Sequence, residues 1–160
     1  MSGYALDAGV VSAIRASGLS PVDWVGDHNV AVSEVAIQEV FRHLPADDAK
    51  YIGNLAVLAH LAEAPTAVTD AIIGLARELM ARYSRHSPAL ATNDALIAAD
   101  AILSSRVLIT KNTHDFHYID GLTWIDANGF HAVDGSLIQT RGAVSASPGP
   151  RPCCSRLEPQ

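Results

Sequence analysis

Acidic side chains stand next to short apolar runs that are typical of buried strands. Asp7 directly follows the run at 4–6, and Asp94 opens a helical stretch after a proline-marked loop. Glu39 lies one turn into the helix after a second apolar run, and Asp115 lies just beyond a third. Because ligands of parallel sheets sit at the carboxyl ends of the strands, we expect the four carboxylates to converge on one edge.

The chemistry that such a cluster suits is metal binding. Close carboxylates repel each other by roughly 4 kcal/mol per pair at an effective dielectric of about 20, and a hard cation relieves that repulsion. Oxygen-only ligands select Mg²⁺ or Mn²⁺, and a cation that keeps its waters suits phosphodiester hydrolysis. A single acid near a strand end is nevertheless more often a helix cap than a ligand. The spacing alone therefore leaves both interpretations open.

The elements that must position these acids alternate between strands and helices. Apolar runs predict strands at 4–6, 30–33, 107–110 and 122–125. Helical spacing predicts helices at 10–15, from Ser33 towards Pro45, at about 47–63 and 67–85, and at 92–103. This alternation predicts an α/β fold in which a short parallel sheet carries helices on both faces.

The chain divides into one predicted domain, residues 1–140, and a flexible tail, residues 141–160. The tail holds four prolines and little that could be buried. Its adjacent Cys153 and Cys154 form neither a disulfide framework nor a CxxC motif, which fits a reducing cytoplasm. No apolar run reaches the roughly 18–20 residues that span a bilayer, so no membrane association is expected.

The charge balance excludes one class of nucleic-acid protein. The formal net charge is −6, and the first 140 residues carry 8 basic and 16 acidic side chains, a net charge of −8. Coating DNA requires a basic face that neutralises phosphates, so a histone-like role is excluded. An enzyme that reaches phosphates through divalent cations remains compatible with this charge.

Four stretches together resemble the signature of PIN-domain ribonucleases, and most of all VapC-type toxins of bacterial toxin–antitoxin pairs. The more specific stretches are NDALIAA at 93–99 and LITKNTHDF at 108–116. YALD at 4–7 resembles the first motif of that family, and VSEVAIQEV at 32–40 resembles the second. The resemblance covers roughly residues 3–128, with the motifs in the family's order.

The resemblance implies a fold, an activity and partners. The fold is a PIN-like three-layer sandwich, and the activity is that of a metal-dependent endoribonuclease that hydrolyses RNA phosphodiester bonds as the toxin of such a pair. The implied partners are the RNA substrate and a cognate antitoxin whose C-terminal segment fills the groove near the acids. The alanine-rich helices between Tyr51 and Met80 offer more apolar surface than one small sheet covers, which predicts a homodimer.

The resemblance also assigns site residues. The catalytic positions match Asp7, Glu39, Asp94 and Asp115, and the Mg²⁺ or Mn²⁺ ligands among them are Asp7, Asp94 and Asp115. Thr110 and Asn112 match small polar positions near the metal, where Thr110 orients a carboxylate or the attacking water. Lys111 and His114 flank the site and are candidate contacts to RNA.

Two departures from the family pattern bear on these assignments. The first motif of the family has Asp-x-Asn, whereas this chain has glycine at position 9, so a hydrogen bond that supports the metal ligands is expected to be missing. The affinity for the metal or the rate of RNA hydrolysis is then expected to be lower. The fourth acid has alternatives, since Asp120 or Asp126 could supply an oxygen in place of Asp115.

Two other function classes are compatible with parts of this sequence. One is a degenerate PIN fold that only binds a partner, and the departure at Gly9 favours it. The other is a receiver-like phospho-acceptor module that would use Thr110 and Lys111, but receivers need an acidic pair after the first strand, where Asp7 stands alone. A nuclease assay with Mg²⁺ or Mn²⁺ against EDTA discriminates between these classes.

Overall fold

The structure is a computed structural model that describes residues 3–17, 29–61 and 65–127, and the backbone of three further strands. The strands are β1 (Tyr4–Leu6), β2 (Val30–Val32), β3 (Val107–Thr110), β4 (Thr123–Asp126), β5 (Phe130–Val133), β6 (Ser136–Gln139) and β7 (Val144–Ala146). The helices are α1 (Ala8–Ser17), α2 (Glu34–Phe41), α3 (Ala49–His60), α4 (Asp70–Arg82), α5 (Thr92–Leu103) and α6 (Thr113–Phe116).

The main sheet has the strand order β2-β1-β3-β4-β7. The first four strands in this order are parallel, and β7 runs antiparallel to β4. Leu6 pairs in register with Val32 on one side and with Ile109 on the other. The carboxyl ends of β1, β2 and β3 therefore lie together at one edge of the sheet. Strands β5 and β6 form a separate antiparallel pair.

The core lies between this sheet and the helices. Every residue of β2 is buried, as expected for a parallel strand that is covered on both faces. Helix α1 buries Val10, Val11 and Ile14 and packs against α2 and α3, whereas α5 packs against α4 and α2. The described fold confirms the predicted α/β class with a short parallel sheet.

The starts of α2, α3 and α4 agree with local capping signals. The Ser33 hydroxyl accepts a hydrogen bond from the Ala36 N–H at 3.1 Å, as expected for the cap of α2. Asp48 and Thr69 cap α3 and α4, which therefore begin later than the predicted spans of 47–63 and 67–85. Both helices also end earlier than predicted, at His60 and Arg82. Among the described residues, none of the helices is long and apolar enough to cross a membrane.

Part of the predicted tail takes part in the sheet. Residues Val144–Ala146 form β7, whose backbone pairs with residues 123–125 of β4. The physical reason is that β4 would otherwise present unpaired backbone groups at the sheet edge. The remaining residues of the segment 141–160 lie outside the described residues. The domain boundary at residue 140 thus stays a prediction.

Candidate active site

Asp7 occupies the turn between β1 and α1, at the carboxyl edge of the sheet. Its backbone N–H donates to the carbonyl oxygen of Ile109 at 3.0 Å, which ties the turn to β3. The side chain is buried, with 7% of its surface exposed, and both oxygens accept hydrogen bonds. Oδ1 accepts from the Ala8 N–H at 2.8 Å, and Oδ2 accepts from the Thr110 hydroxyl at 2.8 Å. The carboxylate is therefore held in one orientation.

Thr110 connects this carboxylate to the end of β3. It is the last residue of the strand and is fully buried. Its hydroxyl donates to Asp7 and accepts from the Asn112 N–H at 2.9 Å. One side chain thus fixes the position of Asp7 and the path of the turn that leads to α6.

Glu39 reaches the site from α2 and is held by a residue that the sequence analysis did not single out. The Asn93 amide group donates from Nδ2 to Oε1 of Glu39 at 2.7 Å. Asn93 lies in the first turn of α5, directly before Asp94. Its position beside a candidate acid at a helix start was the only signal in the sequence that could have suggested this role.

Asp94 lies half-buried in the first turn of α5 and has the most perturbed environment of the four acids. Its pKa is raised from 3.8 to about 7, first by burial and then by the negative charges of Asp7, Asp115 and Glu39. The N-cap of this helix is Ala91, and no side-chain hydrogen bond caps its N-terminus. A capping role for Asp94 therefore has no support in the described structure.

The pKa of Asp7 is also raised, and the causes point to the same neighbours. Burial is the largest cause, the hydrogen bonds from Thr110 and Ala8 oppose it, and the charges of Glu39 and Asp115 add to it. The four predicted acids consequently share one electrostatic environment, although they come from four separate segments of the chain.

Asp115 is the fourth member of this group. It lies in α6, half-buried, and its Oδ2 accepts a hydrogen bond from Nδ2 of Asn112. Its charge raises the pKa values of both Asp7 and Asp94. The choice between Asp115, Asp120 and Asp126 as the fourth acid stays a prediction, which the influence of Asp115 on both of these pKa values supports.

The candidate contacts to RNA lie near Asp115 in the chain and are exposed to solvent. Lys111 and His114 are exposed. Tyr118 was not singled out from the sequence, yet burial and the charges of Asp115 and Asp94 raise its pKa, which places it beside the acids. A Cβ at Gly9 would meet no atom within 4 Å, so a side chain has room at the position where the family has asparagine.

The carboxylates fit a hard divalent cation by their chemistry. In the described part of the chain, no group of three or more His, Cys, Asp or Glu side chains is already arranged as a metal site. Mg²⁺ does not require one, because it keeps several waters and often uses only one or two protein carboxylates. The donor set is all oxygen, and a cation would relieve the repulsion from Asp7, Asp115 and Glu39 that contributes to the raised pKa of Asp94.

Comparison with known families assigns the fold. The sequence model of the PIN domain matches residues 4–122, and the chain therefore belongs to the PIN domain family. The predicted PIN-like sandwich is thereby confirmed, and the match gives no support to a receiver-like module. A comparison with curated proteins finds no significant match.

Solved structures of similar fold come from toxin–antitoxin complexes. VapBC2 of Rickettsia felis, bound to a promoter DNA fragment, has 18% identity and a TM-score of 0.62, covering 77% of this chain and 97% of that one. DNA-bound VapBC of Salmonella typhimurium has 16% identity and a TM-score of 0.63, covering 79% and 99%. VapBC-5 of Mycobacterium tuberculosis has 21% identity and a TM-score of 0.57, covering 79% and 99%. At these identities the likeness concerns the fold.

Proposed function

We propose that this protein is a metal-dependent endoribonuclease that hydrolyses RNA phosphodiester bonds, acting as the cytoplasmic toxin of a toxin–antitoxin pair. The observation that carries the proposal is the group of four carboxylates from separate segments, in which the charges of Asp7, Asp115 and Glu39, together with burial, raise the pKa of Asp94. A cluster of like charges in which one carboxylate is buried and the others are half-buried is costly in a purely structural role. Membership in the PIN domain family, whose members are generally nucleases, supports the same class of activity.

In this proposal Asp7, Asp94 and Asp115 hold Mg²⁺ or Mn²⁺, either directly or through waters that the cation keeps. Bound there, the cation would stabilise negative charge on the phosphate and lower the pKa of an attacking water. Each Asp7 oxygen accepts one hydrogen bond from the protein and keeps a lone pair for a further partner. Thr110 therefore orients this carboxylate without blocking it.

Glu39 is the proposed catalytic acid that does not hold the metal, and Asn93 occupies only one of its oxygens. Oε2 remains available to accept a hydrogen bond from the attacking water and to take up its proton. Asn112 holds Asp115 in the same way, through one carboxylate oxygen. Lys111 and His114, both exposed at the rim, are the proposed contacts to substrate phosphates.

A degenerate PIN domain that only binds a partner is the second candidate. Two observations favour it. Gly9 stands at the position where the family has asparagine, and among the described residues no three acids are already arranged as a metal site. The two candidates differ in one measurable property, which is cleavage that depends on a divalent metal.

The proposed protein partners are an antitoxin and a second copy of the chain. The similar structures named above are VapBC toxin–antitoxin complexes. Large apolar side chains are exposed on α3 and α4, with Ile52 57%, Leu55 52% and Ile73 42% exposed. Burial of such a surface in an interface is favourable, which supports a homodimer through these helices. Size-exclusion chromatography with light scattering tests this, and a monomer at micromolar concentration would contradict it.

The activity is tested by incubating the purified chain with structured and unstructured RNAs in Mg²⁺, Mn²⁺ or EDTA. We expect cleavage only with metal, and none from Asp94→Asn. Asp70→Asn is the matched control, because Asp70 is exposed in the first turn of α4 as Asp94 lies in the first turn of α5. Cleavage that survives EDTA, or an Asp94→Asn variant as active as Asp70→Asn, would contradict the proposal.

A further inference from the structure

A hydrogen bond joins two segments that are far apart in the sequence. Tyr83 is the C-cap residue of α4, and Asp120 lies in the turn between α6 and β4. The Asp120 N–H donates to the Tyr83 hydroxyl oxygen at 2.9 Å. Tyr83 is buried in the core, so its ring and its hydroxyl oxygen are held in place. The turn after α6 is thereby attached to the end of α4.

Ring contacts join the same two segments. His86, which follows Tyr83 in the same segment, stacks on Tyr118 with ring centroids 4.2 Å apart and planes inclined by 13°. Tyr83 packs edge-on against both rings, at 5.3 Å from His86 and 5.1 Å from Tyr118. Stacked and edge-to-face arrangements are attractive in addition to the area that they bury. We call these residues the clamp, with Tyr83 and His86 as its first half and Tyr118 and Asp120 as its second half.

The two halves of the clamp adjoin the segments that carry two of the candidate metal ligands. The first half precedes α5, whose first turn contains Asp94. The second half follows α6, which contains Asp115. The charges of both carboxylates act on the Tyr118 hydroxyl and raise its pKa, so the clamp and these two acids are near neighbours. The clamp is therefore placed to fix the position of Asp115 relative to Asp94.

Asp115 depends on such contacts because α6 has little stability of its own. The helix has four residues, and in the described structure no side-chain hydrogen bond caps its N-terminus. Helices this short are unstable without tertiary contacts. Phe116 and Ile119 are fully buried and anchor the segment, but apolar burial is not directional. The hydrogen bond from Asp120 to Tyr83 is directional, so it restricts the orientation that the apolar contacts leave open.

We infer that Tyr83 is a positioning residue for the proposed metal site. Through Asp120 it holds the turn after α6, and it thereby keeps Asp115 at a separation from Asp94 that lets both act on one cation. The inference rests on the proposed metal-dependent nuclease function, and it adds a residue that touches neither the metal nor the RNA. Two carboxylates that repel each other move apart if nothing holds them, and bringing them together again weakens metal binding.

The test measures metal affinity apart from cleavage. Mn²⁺ is titrated into the full chain, and the free ion is followed by electron paramagnetic resonance. Tyr83→Phe keeps the ring and removes the hydroxyl. We expect it to weaken Mn²⁺ binding about tenfold, the lower end of the range for residues that orient metal ligands. Tyr51→Phe is the matched control, because Tyr51 also packs against another aromatic ring but lies in α3, and it should bind Mn²⁺ like the parent.

A double-mutant cycle distinguishes positioning of Asp115 from a general loss of stability. In an Asp115→Ala background, Tyr83→Phe should cause no further loss of Mn²⁺ affinity, because the side chain that it positions is absent. In a Glu39→Gln background the full loss should remain, since Glu39 is not among the proposed metal ligands. A merely structural role of Tyr83 would lower the affinity equally in both backgrounds. If Tyr83→Phe does not fold, His86→Ala removes the exposed ring of the clamp and should show the same dependence on Asp115.

The cleavage assay provides a second readout. At limiting Mn²⁺, Tyr83→Phe should cleave RNA more slowly than the parent, and saturating Mn²⁺ should restore kcat, because the loss is one of metal affinity. KM for the RNA at saturating Mn²⁺ should stay that of the parent. A lower kcat that saturating Mn²⁺ does not restore would contradict the positioning role.

The possible outcomes separate this inference from the function on which it rests. If the parent binds Mn²⁺ and cleaves RNA while Tyr83→Phe binds Mn²⁺ equally well, the inference is overturned and the nuclease proposal stands. If the parent binds Mn²⁺ but cleaves no RNA, and Tyr83→Phe weakens binding only when Asp115 is present, the nuclease proposal fails and the positioning role stands. A loss of affinity that is equal in the Asp115→Ala background, or equal for Tyr51→Phe, overturns the positioning role. A parent that binds no Mn²⁺ overturns both.

Discussion

The Thr110 hydroxyl donates a hydrogen bond of 2.8 Å to Oδ2 of Asp7, although the two residues are 103 positions apart in the chain. They meet because β1 and β3 are adjacent parallel strands, with Leu6 opposite Ile109. Asp7 directly follows Leu6, and Thr110 directly follows Ile109. The orientation of the most buried acid of the site therefore depends on the pairing of two strands.

Replacing Thr110 by valine tests this relationship. The change keeps the shape but leaves Oδ2 of Asp7 and the Asn112 N–H without their partner, which costs about 1–3 kcal/mol of stability. Loss of a hydrogen bond that orients a metal ligand typically lowers metal affinity or activity by about 10–100-fold. Thr110→Ser keeps the hydroxyl and should lose little stability and little metal affinity. Urea unfolding and Mg²⁺ titration measure both effects, and equal metal affinity in the two variants would contradict this role.

Neutralising Asp94 is expected to act in opposite directions with and without metal. Without metal, Asp94→Asn should raise the melting temperature, because it removes a charge that Asp7, Asp115 and Glu39 repel. With Mg²⁺ at ten times Kd, the parent should gain about 1.4 kcal/mol and the variant far less. Asp7→Asn should behave similarly, and Asp115→Asn should have a smaller effect. Thermal unfolding with and without millimolar Mg²⁺ or Mn²⁺ measures this, with Asp70→Asn as the control.

The raised pKa of Asp94 predicts how stability depends on pH. Between its ordinary value of 3.8 and about 7, the folded chain binds a proton at Asp94 that the unfolded chain does not. The stabilisation that protonation of Asp94 gives the folded chain is therefore fully present below pH 3.8. It is lost as the pH rises through about 7. Metal affinity should change in the opposite sense, because the ligand must be deprotonated. Unfolding across this range without metal should show a slope that Asp94→Asn reduces; an unchanged slope would contradict the assignment.

Position 9 allows a gain-of-function test. Glycine in a helix is less favourable than alanine by about 1 kcal/mol, and the site has open space, so Gly9→Ala should stabilise α1. Gly9→Asn supplies the amide that the PIN motif has at this position and should also raise metal affinity and cleavage. Comparing the two variants separates helix stabilisation from the contribution of the amide group. Equal metal affinity for both would show that the missing asparagine is not what limits this site.

Truncation distinguishes the two parts of the C-terminal segment. Ending the chain after residue 146 should leave the melting temperature within a few degrees, because little apolar area is lost. Ending it after residue 140 also removes β7 and exposes the backbone of β4, so a larger drop is expected. Identical melting temperatures for the two truncated chains would mean that the pairing of β7 contributes nothing measurable.

Local features of the sequence predicted β1 to β4, α1 to α5 and the candidate acids, but not β5, β6, β7 or the short helix α6. Ser33 predicts the start of α2 because a cap hydrogen bond involves residues only three positions apart. Apolar runs predict β1, β2 and β3, since strands covered on both faces must be apolar throughout. Asp7, Glu39, Asp94 and Asp115 were recognised in the same way, from short motifs around each residue.

Only the tertiary structure decided how these parts act on one another. The contacts from Asn93 to Glu39 and from Thr110 to Asp7 require segments that are 54 and 103 residues apart to meet at hydrogen-bonding distance. The stacking of His86 on Tyr118 likewise joins two segments that looked unrelated in the sequence. Hydrogen bonds and electrostatic repulsion depend on distances of a few ångströms. Such distances follow from strand register and helix packing, which no local pattern of residues encodes.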